Sequence, residues 1–192
     1  MIPVTEVPEP SQFDTRARKP GNVWLTDNPN VDRPRDFWSP FRAVLATGFK
    51  DRCGYSAMHD LTGTVDHFKS FKTDRSSAYE WSNYRYASQW LNSSKKARAV
   101  LDPYEIGQGW FEVLLPSMEL VLTASIPADV KPRAQAMLES FPIGRDPRII
   151  RQRRAWYEMH KAKKLTLEGL RDVAPQIAEA VDRFLEAGAS LP

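Results

Sequence analysis

Cysteine is nearly absent from this chain: Cys53 is the single one in 192 residues. That excludes an intrachain disulfide and a thiolate-rich metal site. Long apolar runs are missing too, and none approaches the roughly 18 residues that a membrane helix needs. The opening stretch, MIPVTEVPEP, has neither the basic nor the apolar segment of a secretory signal. No membrane association is expected, and a cytoplasmic protein is. No phosphate-cradling P-loop occurs, so any nucleotide dependence has to come from another chain. Excess charge is small, +3 net, although the sequence pI is about 9.0. That balance admits nucleic acid as a partner without demanding it. Histidine is scarce as well, with three in the chain, so the placing of each one matters.

What is present is ordinary for a globular protein: 42% hydrophobic and 27% charged residues, with length enough for one real core. Residues 1–35 carry prolines at 3, 8, 10, 20, 29 and 34. Proline fixes φ and removes a donor, so an extended N-terminal arm is expected there rather than a helix. Ser39 and Pro40 can open a helix carrying Phe41, Val44, Leu45 and Phe49. Thr64 to Phe68 reads as a short strand, the following KSFKTDRSSAYEWS as a loop, and Asn83 to Tyr86 as a second strand. Ser88 to Val100 reads as a helix stopped by Asp102-Pro103. GWFEVLLPSMELVLT reads as a hairpin turning at Pro116-Ser117. Asp146 and Pro147 can start a basic helix. A last helix buries Leu170, Val173, Ile177, Val181 and Leu185, is interrupted near Pro175, and ends at Gly188. The class is α+β. The expected division is an arm (1–35), a central unit with a flanking helix and hairpin (36–125), and a helical C-terminal region (126–192).

Chemistry concentrates where Asp66 and His67 stand side by side at the end of the first strand. Adjacent strand residues point to opposite faces, so the two side chains can do different work. Asn83 follows His67 by 16 residues and Asn92 follows Asn83 by 9. The ordered set of acid, histidine and two asparagines, on a strand–loop–strand–helix pattern, resembles the ββα-metal motif of the HNH nuclease family. The resemblance covers residues 53–98. The phrases VDHF and YEWSNYR, with MIPV at the start, PG..WL at 20–25 and RIIRQRRAWYE near the end, resemble one bacterial branch of it. That branch includes HNH proteins encoded beside ATPases in anti-phage systems such as the Septu type.

The resemblance implies a phosphodiester hydrolase acting on nucleic acid, DNA in preference to RNA, with an ATPase partner. His67 would be the general base, because neutral imidazole accepts a proton near pH 7. Asp66 and Asn92 would offer oxygen ligands to a divalent cation, Mg²⁺ with Mn²⁺ as a substitute. Asn83 would tie the loop to the backbone and aim His67. Lys69, Lys72, Lys95, Lys96, Arg148, Arg151 and Arg154 are the expected contacts to phosphate or to an acidic partner. Core packing is the expected use of Trp81, Tyr84, Tyr86 and Trp90, with stacking on bases as the alternative.

The chain departs from the family where many members carry two CxxC pairs around a structural zinc. Those positions are Cys53 with Ser56, and Ser88 with Leu91, so no structural zinc is expected. The alternative to a nuclease is a degenerate HNH module that binds nucleic acid or a partner without cutting; the intact Asp66, His67, Asn83 and Asn92 argue against it.

Overall fold

Proline does not keep the first 35 residues extended. The computed structural model describes residues 1–188 and 191–192, and within the expected arm it has a wide turn, Asp14–Arg18, running into helix α1, Lys19–Asp27. Pro20 falls in the first turn of α1, where a missing N–H costs least. Burial overrides the local signal. Phe13 is fully buried, with its ring centroid 5.1 Å from Phe41, 5.2 Å from Trp81 and 5.6 Å from Tyr84. Such edge-to-face pairs contribute about 0.5–1.5 kcal/mol each beyond area burial. Gly21 is required by close approach, since a Cβ there would lie 2.5 Å from the Tyr79 ring.

Helix α2, Arg42–Gly48, follows a tight turn at Ser39–Phe41. The expected Ser39 cap is not formed: α2 has no side-chain cap, and the turn before it is held by Asp36, whose Oδ1 accepts the N–H groups of Trp38 (3.1 Å) and Ser39 (2.9 Å). Strands β1, Thr64–His67, and β2, Tyr84–Ala87, pair antiparallel as expected. Their register sets Val65 opposite Tyr86 and His67 opposite Tyr84, so these four share one face, and Asp66 opposite Arg85 on the other. Helix α3, Gln89–Lys95, starts on Ser88, whose Oγ accepts the Leu91 N–H (3.4 Å). It stops at Lys95, short of the expected Val100. Lys96 turns to φ 51°, Ala97 to Ala99 are exposed, and Val100 and Leu101 return to the core. No apolar side chain holds a further turn.

The expected hairpin is β3, Phe111–Val113, with β4, Leu120–Leu122. The C-terminal region holds α4 (Lys131–Ser140), α5 (Pro147–Lys161), α6 (Leu167–Val173) and α7 (Pro175–Glu186). Asp146 caps α5 as expected, its Oδ1 accepting the Arg148 N–H at 2.9 Å. The break at Pro175 separates α6 from α7, and Gly188 follows α7 with φ 69°. Leu170, Ile177 and Val181 are buried, while Leu185 remains exposed. Two cores flank the β1–β2 hairpin. Phe13, Phe41, Leu45, Val65, Trp81 and Tyr84 lie on the His67 side. Tyr55, Leu91 and the apolar faces of β3, β4 and the C-terminal helices form the other.

Candidate active site

His67 lies at the end of β1 in an aromatic recess, with ring centroids 4.5 Å from Trp38 and 5.1 Å from Tyr84, both edge-on. Its Nε2 is 3.0 Å from the carbonyl oxygen of Ala78. A carbonyl only accepts, so Nε2 carries the hydrogen and Nδ1 keeps the lone pair. Tyr84 Oη donates to the same carbonyl at 2.8 Å. Burial pushes the His67 pKa below its ordinary value; the Ala78 hydrogen bond and the Asp66 charge oppose that shift and are outweighed. The ring is therefore neutral at pH 7, with one fixed tautomer.

Asn83 holds the loop that supplies Ala78. Its Oδ1 accepts the Lys69 N–H at 2.7 Å. Its Nδ2 donates to the Lys69 carbonyl (3.1 Å) and to the Ser77 carbonyl (3.0 Å) and hydroxyl (3.1 Å). One buried carboxamide thus joins the residue after Phe68 to the residue before Ala78, closing the loop around the imidazole. Asn83→Ala should lower folding stability by about 1–3 kcal/mol, because it strands the partly buried Lys69 N–H and carbonyl and the buried Ser77 carbonyl. Urea unfolding measures this, and an unchanged midpoint would remove Asn83 from the scaffold of the loop.

Asp66 faces the other way, is buried, and is not open to solvent. Tyr55 Oη donates to Oδ2 at 2.5 Å, and Lys95 Nζ donates to Oδ1 at 3.0 Å. Lys95 Nζ also reaches the His67 carbonyl at 2.7 Å. Burial first, and the Asp66 charge second, hold the Tyr55 hydroxyl well above its ordinary pKa, so it stays a donor. Lys95 is 1% exposed. It is therefore not a contact to phosphate or to a partner, contrary to the sequence expectation. An amphipathic stem on a buried ammonium satisfies a buried carboxylate better than it reaches into water.

Asn92, in the middle of α3, donates from Nδ2 to the Val65 carbonyl at 3.2 Å, which fixes the carboxamide against β1. Its Oδ1 has no hydrogen-bond donor among the described residues. A carboxylate and a carboxamide oxygen are the donors a hard cation takes. Among the described residues no three His, Cys, Asp or Glu side chains gather as a metal-binding group; Mg²⁺ held mostly by water and substrate phosphate needs no such group. The donor types are those a divalent cation takes, although both Asp66 oxygens are engaged by Tyr55 and Lys95. The Lys95 ammonium already neutralises Asp66 and is the group a cation must move.

The corner around Cys53, Ser56, Ser88 and Leu91 is largely apolar. Cys53 and Leu91 are buried in one core, Ser56 Oγ accepts the Met58 N–H (3.3 Å), and Ser88 is spent as the cap of α3. The Gly54 N–H donates to the Tyr86 carbonyl at 2.9 Å, pinning the corner to β2.

Of the other expected contacts, Lys69, Lys72, Lys96, Arg148, Arg151 and Arg154 are exposed. Arg153, within the same basic stretch, is buried and donates to the carbonyls of Met118, Ile143 and Gly144. It joins α5 to the hairpin and leaves the basic face one charge smaller. Trp81, Tyr84 and Tyr86 are core residues, as expected, and Trp90 is half-buried.

Sequence reasoning missed Tyr55, Trp38, Lys95 as a clamp, and the Ala78 carbonyl. Lys95 carried a readable signal, since it lies one helical turn beyond Asn92 on the same face. A backbone carbonyl carries none. Comparison with family models, curated proteins and solved structures found no match to the chain.

Proposed function

We propose that the chain is a metal-dependent endonuclease of the HNH type that hydrolyses phosphodiester bonds of nucleic acid, DNA in preference to RNA. The observation that carries this reading is the state of His67: neutral, fixed in one tautomer through Ala78, with Nδ1 left as proton acceptor. Asn83 on the loop beside it, and Asp66 and Asn92 on the other face of β1 and on α3, would supply the rest. Nδ1 takes the proton of the water that attacks phosphorus, while the Ala78 carbonyl steadies the imidazolium that forms. Asn83 keeps the loop, and so the ring, in place. Asp66 and Asn92 would hold a divalent cation, which supplies neutralisation of charge on the phosphate and the leaving oxygen.

A role in bacterial defence beside an ATPase partner rests on the sequence resemblance alone. Co-elution with an ATPase encoded next to this chain tests that part separately.

One observation favours a second reading, a binding module that does not cut: the Lys95–Asp66 pair already satisfies the carboxylate. Incubating the purified chain with plasmid, single-stranded DNA and RNA, in Mg²⁺, in Mn²⁺ and in EDTA, separates the two. Cleavage with either metal and none in EDTA is expected. Binding without cleavage under every condition would establish the second reading instead.

A further inference from the structure

The two hollows nearest α3 meet at one side chain. A groove of about 620 Å³ is bounded by Trp90, Lys96, Arg98, Arg145 and Arg148. A smaller hollow of about 270 Å³ is bounded by Phe68, Lys69 and Arg98. Arg98 borders both, and Phe68 follows His67 directly in the chain. Phe68 packs on the Asp66 side of the hairpin, with Lys95 Nζ 5.7 Å from its ring centroid, so the two hollows adjoin at Arg98 and run from the Asp66–Lys95 side of the candidate site, across the C-terminal end of α3, to the start of α5.

The charge along this path is predominantly positive; Lys69 pairs loosely with Asp74 at 3.9 Å and Arg148 with Asp146. Lys96, Arg98 and Arg145 have no acidic partner among the described residues. Two acids border the groove, and both are engaged. Glu139 accepts from Gln135 at 3.0 Å. Asp146 caps α5 and pairs with Arg148 at 3.3 Å. A solvated helix face would be convex; these cations converge on a recess. At the far end the Arg148 guanidinium lies 4.3 Å from the Trp90 ring centroid. Arg148 is exposed and Trp90 half-buried, so a planar cation stacked on an indole borders the groove. Such a surface takes an unstacked base on its face. A duplex hides its base faces; a single strand presents them.

We propose that this path is the track of a single-stranded nucleic acid, with phosphates on Lys69, Lys96, Arg98 and Arg145 and one base on the Trp90–Arg148 stack. The proposal rests on the nuclease reading for its direction toward the candidate site, but binding in EDTA tests it without cleavage.

The experiment is fluorescence anisotropy of a labelled oligo(dT) strand and of a labelled duplex of equal length, in EDTA, across a salt series. The single strand is expected to bind tighter. Trp90→Ala should weaken it about tenfold. Arg98→Glu with Arg145→Glu should flatten the dependence of log affinity on log salt by about 1.4, at about 0.7 per phosphate on a single strand. Both arginines are exposed, so this variant folds even if Trp90→Ala is impaired; Trp90→Phe keeps the packing and a stacking face and should bind nearly as the parent does. Lys131→Glu, on exposed α4 surface outside the groove, is the control. Equal losses from Lys131→Glu and from the arginine reversals would overturn the track, as would tighter duplex binding or an unchanged salt slope. Oligonucleotides that do not bind at all would overturn it too. Intact binding with these signatures but no cleavage in Mg²⁺ would leave the track standing and remove only the nuclease reading.

Discussion

His67→Ala should slow the proposed phosphodiester cleavage by about 10²–10⁴-fold, the range that a positioned general base contributes. The fold should survive, because the side chain is half-buried and the recess is built by Trp38 and Tyr84 rather than by the imidazole. The pH profile separates loss of a base from a packing defect. A base must be unprotonated, so the parent rate falls as pH drops through the His67 value. Burial holds that value below 6.5, against the pull of Asp66 and Asp36 and with the help of Lys95. The acid limb of the rate profile should therefore lie at lower pH than for an ordinary imidazole. The same shift enters stability with the same sign. The unfolded chain takes up the proton first, so acid erodes stability as pH falls below 6.5 toward the folded value. Trp38→Ala admits water to the ring and should move the acid limb of the rate profile upward. A His67→Ala enzyme that cuts at the parent rate, or a parent profile with no acid limb, would remove His67 from the chemistry.

The strand, loop, strand and helix around His67 were legible because their signals are local. Period-two alternation set Val65 and His67 against Asp66, and Ser88 and Asp146 announced helices that begin there. The N-terminal helix was illegible for the opposite reason. Its prolines argue against helix locally, while Phe13 gains a pocket made by Phe41, Trp81 and Tyr84, residues far along the chain. Asp66 shows the same limit at the site. Its position beside His67 could be read; its partners could not, since Tyr55 comes from the Cys53 corner and Lys95 from the end of α3. A lysine in a basic cluster reads as a surface contact until the fold turns it inward. Likewise Arg153, third of four arginines in one helix, differs from Arg151 and Arg154 only in which side of α5 it occupies.

Lys95→Met should cost about 3–5 kcal/mol in metal-free buffer, the effect of leaving one member of a buried pair without its partner. For a chain of this size that corresponds to a melting temperature lower by roughly 6–20 °C. Methionine nearly matches the lysine stem in volume, so the loss is one of charge rather than of packing. Asp66 would retain only the Tyr55 hydroxyl, and a buried carboxylate with one donor is poorly satisfied. Replacing both partners tests the cause. Asp66→Asn with Lys95→Met removes the stranded charge and should recover most of the lost stability, since a buried pair contributes little against a neutral pair of similar shape. Divalent cation then discriminates further. In the parent, a cation reaching Asp66 and Asn92 has to displace an ammonium at 3.0 Å. In Lys95→Met it meets an uncompensated carboxylate. Mn²⁺ or Mg²⁺ should raise the melting temperature of Lys95→Met more than that of the parent, by mass action on the folded state. It should leave the double variant unmoved. If Lys95→Met melts with the parent, the pair does not carry its charge in the folded protein. If metal stabilises the double variant as much as the single one, the cation sits elsewhere and Asp66 is a structural residue held by Tyr55 and Lys95.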